Sequence, residues 1–159
     1  MVMKEVFFLE SFQSDRYAEI GINGPFVQDN HSRSSKGVLR GLHMQIKKPQ
    51  GKLVRVVSGV VFDVAIDLRK ESDSYLMWHG IILSEENKKQ FWVPPGFAHG
   101  FLVISDYADF EYKCTEFYDP DDEIAIRWDD PDIGIQWPND DYKISNKDLE
   151  GKYLRDFVL

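Results

Sequence analysis

Residues 60–69 alternate without a break, with Val60, Phe62, Val64, Ile66 and Leu68 on one parity and Val61, Asp63, Ala65, Asp67 and Arg69 on the other. A period of two over ten residues is the signature of a strand; wound into a helix, the same residues would scatter their apolar set around the axis. A strand this long needs neighbours. Residues 81–83, 90–93, 101–104 and 108–115 supply further short apolar stretches, separated by Ser84-Glu85-Glu86-Asn87, Pro94-Pro95-Gly96 and Ser105-Asp106. Many short strands with turn-forming punctuation and no helical period between them predict an all-β antiparallel sandwich or barrel. The chain's start adds a short strand over residues 7–12 and a turn of helix over 14–20 that ends at Gly21. Only the tail reads as helical, where Ser145 and Asp148 have the spacing of a capping box ahead of Leu149 and Leu154.

The 159 residues predict one domain, 1–159, large enough to bury roughly 70% of the surface its unfolded chain exposes. The single cysteine, Cys114, excludes an internal disulfide, and the apolar run Val6-Phe7-Phe8-Leu9 stops at Glu10, too short for a leader or a membrane span. These features predict a cytoplasmic protein with no membrane partner. A formal charge of −8 argues against a nucleic-acid partner, which clustered lysines and arginines would serve. An anionic small molecule is still compatible with the chain, because Arg33, Arg40, Lys52 and Arg55 lie in one short region.

The chemistry concentrates in Gly37-Val38-Leu39-Arg40-Gly41-Leu42-His43-Met44-Gln45 and Gly51-Lys52-Leu53-Val54-Arg55. An imidazole three positions after an arginine and nine before a lysine sets a titratable base among fixed cations. Proton abstraction from carbon beside a carbonyl needs such a base, and it needs positive charge waiting for the enolate. Lys52 alternates with Val54 and Val56, so it either snorkels out at a strand end or projects into a cavity. Tyr112 shares a strand face with Phe110 and Cys114, which makes it either a buried phenol satisfied by a carbonyl or a general acid. The polar run Gln28-Asp29-Asn30-His31-Ser32-Arg33-Ser34-Ser35 reads equally as an exposed loop or as a strand edge presenting amides to a ligand. Pro94-Pro95-Gly96-Phe97-Ala98-His99 matches half of the metal-binding signature of cupin barrels, but the other half would require a second histidine where Gln45 stands. One histidine and an amide make a poor transition-metal site, so no metal is expected, and His99 reads as a ligand-orienting donor or a packed turn residue.

These stretches, with Phe62-Asp63-Val64-Ala65-Ile66-Asp67-Leu68-Arg69, Pro95-Gly96-Phe97-Ala98-His99-Gly100-Phe101, Tyr112-Lys113-Cys114-Thr115, Trp128-Asp129-Asp130-Pro131 and Ile135-Gln136-Trp137-Pro138, resemble the dTDP-4-dehydrorhamnose 3,5-epimerase family. The resemblance runs from about residue 7 to 148. It implies a cupin-type antiparallel jelly-roll barrel with a short C-terminal helical segment, a homodimer and no cofactor. It also implies epimerisation of dTDP-4-dehydro-6-deoxy-D-glucose at C3 and C5 on the route to dTDP-L-rhamnose. By the same resemblance His43 is the base, Asp148 holds its ring, Lys52 stabilises the enolate and Tyr112 reprotonates from the opposite face. Arg40, Gln28, Asn30 and His99 would hold the sugar and diphosphate, and Tyr118 and Glu123 the thymine. The family's nucleotide-binding arginine, supplied by a neighbouring subunit, aligns with Glu5, which should weaken nucleotide binding, so either another arginine, Arg16 or Arg33, replaces it or the preferred nucleotide differs. Rival readings are a mono-epimerase or 3,4-ketoisomerase on a related nucleotide sugar, a non-catalytic sugar-binding cupin and a metal-dependent oxygenase.

Overall fold

The computed structural model describes residues 7–138 and 141–157. In chain order the elements are α1 (Ser14–Glu19), β1 (Gln28–Ser35), β2 (Val38–Gln45), β3 (Lys52–Ser58), β4 (Val60–Asp67), β5 (Trp78–Ser84), β6 (Gln90–Val93), β7 (Phe97–Val103), β8 (Tyr107–Cys114), β9 (Glu123–Ala125), β10 (Lys143–Ile144) and α2 (Asn146–Leu149), followed by a single 3-10 turn at Leu154–Asp156. The strands form two sheets, β1-β8-β3-β6 and β10-β2-β7-β4-β5, with β9 paired to the far end of β2. This is the antiparallel jelly roll that the resemblance implies, and the short helix in the tail is there. Among the described residues no helix is long and apolar enough to cross a membrane.

The alternation in β4 is real, but both of its faces are buried. Val61 joins Val54, Val56, Leu83, Phe101, Val103, Ala108 and Phe110 between the two sheets. Val64 and Ile66 point the other way, where Leu68, Leu42, Ala98, Ile126, Ile133 and Leu154 close over the back of the larger sheet. Burying a Val, Leu, Ile or Phe side chain contributes about 1.5–3 kcal/mol over leaving it in water, so the C-terminal segment is a structural layer that fixes β2, β4 and β7 from behind. The outer face of the smaller sheet is instead polar and is tied across its strands by Arg33–Asp109, Arg55–Glu111 and Lys113–Asp29 pairs at 2.6, 2.7 and 3.0 Å. Opposite charges directly across a ladder stabilise it modestly, by about 0.2–1 kcal/mol each.

One expectation changes. Residues 7–12 form no strand; Phe7, Phe8 and Leu9 are consecutive exposed apolar residues rather than an alternating set, and no neighbouring strand bonds to them. The helical turn after them is present as α1, capped by the Gln13 side chain, which accepts a hydrogen bond from the Arg16 N–H at 2.7 Å. The polar run 28–35 resolves as the edge strand β1, paired along its whole length with β8.

Candidate active site

A cleft of about 600 Å³ opens between the sheets, and all ten residues singled out in the sequence line it: Gln28, Asn30, Arg40, His43, Lys52, His99, Tyr112, Tyr118, Glu123 and Asp148. Strand register brings them together. On the smaller sheet Gln28, Cys114 and Lys52 are cross-strand neighbours in one row, and Asn30, Tyr112 and Val54 form the next. Residues in register point to the same side, so the two amides, the ammonium and the phenol share one wall. On the larger sheet His43 pairs with His99 on β7 and with Ala125 beside Glu123 on β9. The imidazole and the phenol therefore occupy facing sheets.

Gly41 makes that placement possible. It has φ of +110°, and a Cβ built on it would lie 2.6 Å from the His99 carbonyl oxygen and 2.7 Å from Gly100 Cα. The β2–β7 register shifts between Arg40 and His43, which lets both Arg40 and His43 reach the cleft although their spacing of three breaks the strand's parity.

His43 Nε2 lies 2.5 Å from Asp148 Oδ1. The other carboxylate oxygen accepts from Ser145 Oγ at 2.9 Å, while the Asp148 N–H donates to that same hydroxyl at 3.2 Å. The local capping role and the long-range contact with His43 thus hold at once. Burial pushes the Asp148 carboxyl up, but hydrogen bonds from His43, Ser145 and the Gly41 N–H outweigh it and keep it below the usual carboxylate range. An ionised Asp148 accepts the proton on Nε2 and leaves the lone pair on the other ring nitrogen.

Burial likewise governs the facing wall. It lowers the Lys52 ammonium, against the pull of Cys114, Glu123 and Asp63, and makes it a readier proton donor. It pushes the Tyr112 phenol up to about 12, so the group stays protonated through the neutral range. His99 Nε2 meets Asp63 Oδ1 at 2.9 Å; burial raises this fully enclosed carboxyl, and the attraction of His99 opposes it. At the mouth, Glu123 Oε2 accepts from Tyr118 Oη at 3.2 Å and from Lys147 Nζ, and Glu123 Oε1 lies 3.9 Å from His43 Nδ1. Arg40 donates to Ser34 Oγ at 3.3 Å, and Gln28 donates to Asn30 Oδ1 at 3.1 Å.

Neither cation suggested as a replacement for the absent arginine lines this cleft. Arg16 pairs with Glu10, and Arg33 is spent on Asp109 on the outside of the smaller sheet. Glu5 itself falls outside the described residues. Sequence reasoning missed Lys143, Lys147 and Gln50, which also line the cleft, and Asp63 behind it. Asp63 did leave a trace, since a carboxylate inside an apolar alternating strand needs a buried partner. The lysines left none.

The family model described as dTDP-4-dehydrorhamnose 3,5-epimerase matches residues 4–156. The chain is 56% identical over 153 residues to the dTDP-4-dehydrorhamnose 3,5-epimerase of Methanothermobacter thermautotrophicus, covering 94% of this chain and 83% of that one. It is 53% identical over 152 residues to the enzyme of that name from Pseudomonas aeruginosa, covering 94% and 84%. The crystal structure of the Legionella pneumophila dTDP-6-deoxy-D-glucose-3,5-epimerase in complex with dTDP-4-keto-L-rhamnose superposes with a TM-score of 0.90 at 55% identity, over 93% of this chain and 80% of that one.

Proposed function

The chain belongs to the dTDP-4-dehydrorhamnose 3,5-epimerase family, and on that premise we propose how its own side chains divide the work. The enzyme epimerises C3 and C5 of dTDP-4-dehydro-6-deoxy-D-glucose, giving dTDP-4-dehydro-L-rhamnose. His43 takes the proton from the carbon beside the C4 ketone; that C–H electron pair moves into the enolate, and negative charge collects on O4. Lys52 sits against that oxygen, and a single well-placed donor of this kind is worth about 3–4 kcal/mol of barrier. Tyr112 delivers its phenolic proton to the opposite face of the same carbon, forming the new C–H bond; the phenolate then takes a proton from water and the His43 imidazolium gives its proton up to water, which resets both groups for the second carbon. Solvent hydrogen thus replaces substrate hydrogen at each inverted centre.

One observation carries the assignment: His43, backed by Asp148 at 2.5 Å, lies on one sheet, and Tyr112 and Lys52 line the same cleft from the other. Arg40, Gln28, Asn30 and His99 hold the sugar and diphosphate in this reading, and Tyr118 stacks on the thymine while Glu123 accepts from its edge. The working unit is a homodimer in the cytoplasm, which gives the exposed Phe7 and Phe8 at the start of the chain a surface to cover.

NMR of the product formed in heavy water tests the assignment. Wild-type enzyme incorporates deuterium at C3 and C5 with inversion. His43→Ala exchanges neither proton, and Tyr112→Phe still exchanges but no longer inverts. A His43→Ala enzyme that exchanged both protons at the wild-type rate would remove the proposed base.

A further inference from the structure

Gln45, two residues beyond His43, is 3% exposed, and nothing in the reaction described above uses it. Both N–H groups and the oxygen of its amide are engaged. Nε2 donates to the Lys48 carbonyl at 2.8 Å and to the Phe117 carbonyl at 3.2 Å, and Oε1 accepts from the Asp119 N–H at 2.9 Å. Two of those three bonds grip the backbone on either side of Tyr118, while the Tyr118 N–H itself donates to Gln28 Oε1 at 2.9 Å. Tyr118 is 47% exposed, so little side-chain packing places it; its ring is set by its backbone and, at the far end, by the bond from Oη to Glu123. A buried amide with both of its N–H groups spent and its oxygen already held by a backbone N–H has no donor to offer a substrate directly.

We propose that Gln45 is a positioning residue for nucleobase affinity: by clamping the backbone before and after Tyr118 it fixes where that ring stands at the mouth of the cleft. The inference rests on the reading of Tyr118 as the thymine-stacking residue. Gln45→Met preserves the side chain's length and shape but removes all three bonds, leaving two carbonyls and one N–H without partners. The backbone that carries the ring is then free to shift, with only the bonds to Gln28 and Glu123 still restraining Tyr118, and stacking is weakened while the His43–Asp148 pair stays in place.

The test measures binding of dTDP and of inorganic pyrophosphate by calorimetry, and kcat and KM for the nucleotide sugar, in Gln45→Met, Tyr118→Leu and the double variant. Gln45→Met weakens dTDP on the order of ten-fold, within the range that impairing one base–aromatic stack implies. Its pyrophosphate affinity and its kcat stay within about two-fold of wild type, and the double variant is no weaker than Tyr118→Leu alone. Gln45→Leu, which likewise removes all three bonds, gives the same selective loss of dTDP and serves if Gln45→Met does not fold. Equal losses for dTDP and pyrophosphate would mean a merely structural role and overturn the inference. If Tyr118→Leu weakens dTDP and Gln45→Met does not, the inference fails and the Tyr118 reading stands; if Tyr118→Leu itself binds dTDP normally, that underlying reading fails instead.

Discussion

Replacing Asp148 with asparagine separates the two jobs that its position combines. The carboxylate is 2% exposed as a residue, meets His43 Nε2 at 2.5 Å and is held ionised by three hydrogen bonds. A hydrogen bond to a charged group contributes about 1.5–3 kcal/mol, and this one strengthens as His43 acquires the substrate proton. Its loss should therefore appear mainly in kcat, as a fall of about 10- to 150-fold, with KM for the nucleotide sugar changed far less. Deuterium uptake at C3 and C5, followed by NMR at saturating substrate, measures the step directly. Ser145→Ala is the control, because it removes the cap of α2, which costs about 1 kcal/mol of stability, and takes only one supporting bond from the carboxylate. The pH dependence carries a second sign. A carboxyl held below its usual range adds stability that is present above the ordinary value near 4 and is lost as pH falls through the lower native value. The stability gap between wild type and Asp148→Asn should therefore narrow below about pH 4. If Asp148→Asn melts earlier, as Ser145→Ala does, yet exchanges both protons at the wild-type rate, the carboxylate is a helix cap and the support of His43 is refuted.

Two further outcomes follow from burial and from close contact. A difference ultraviolet titration of wild type against Tyr112→Phe should show one phenol that stays protonated past pH 10 and ionises near 12, with the stability linked to it complete below about pH 10 and lost as pH climbs toward the native value; ionisation at the ordinary value would show that the cleft is wetter than its walls imply. Gly41→Ala, which sets a methyl 2.6 Å from the His99 carbonyl oxygen at a φ of +110°, should cost more than about 2 kcal/mol in urea unfolding, and a change within about 0.5 kcal/mol would mean that β2 can shift away from β7 without loss.

The architecture was legible where burial forces a pattern and illegible where it does not. In β4 the alternation survives because its two faces meet two different apolar surfaces, and Asp63 and Asp67 sit on the face that carries the cleft and the barrel rim. In β1 the same geometry produces no hydrophobic signal. Its inward residues, Gln28 and Asn30, face a polar cleft, and its outward ones, Asp29, His31 and Arg33, face charged partners on β8. A strand whose two environments are both polar looks like a loop when only the sequence is read. The reverse error occurred at residues 7–12, where apolar content stood in for a pattern that Phe7, Phe8 and Leu9 do not have. The short pairings of β9 and β10 with β2 carry no local pattern at all; they exist because β2 offers edges at both ends.

The site was legible for a different reason, which also marks its limit. Resemblance supplied a list of chemically apt residues, but the list alone could not say whether Asp148 served His43 or only its own helix. The structure answers that both are satisfied by one carboxylate, because its two oxygens point apart: Oδ1 across 105 residues of chain to the imidazole, Oδ2 back to Ser145 three residues away. A short-range motif is a complete explanation of a residue only when it uses every donor and acceptor that the residue has. At Asp148 the capping box leaves one oxygen over. At Gln45 the local bond to the Lys48 carbonyl, three residues on, leaves one N–H and the amide oxygen over, and those are the atoms that reach across the fold to Phe117 and Asp119. Counting unspent hydrogen-bonding capacity at buried polar positions is therefore what turns a sequence pattern into a question about distant partners, and in this chain it leads from His43 to Asp148 and from the strand that carries His43 to the loop that carries Tyr118.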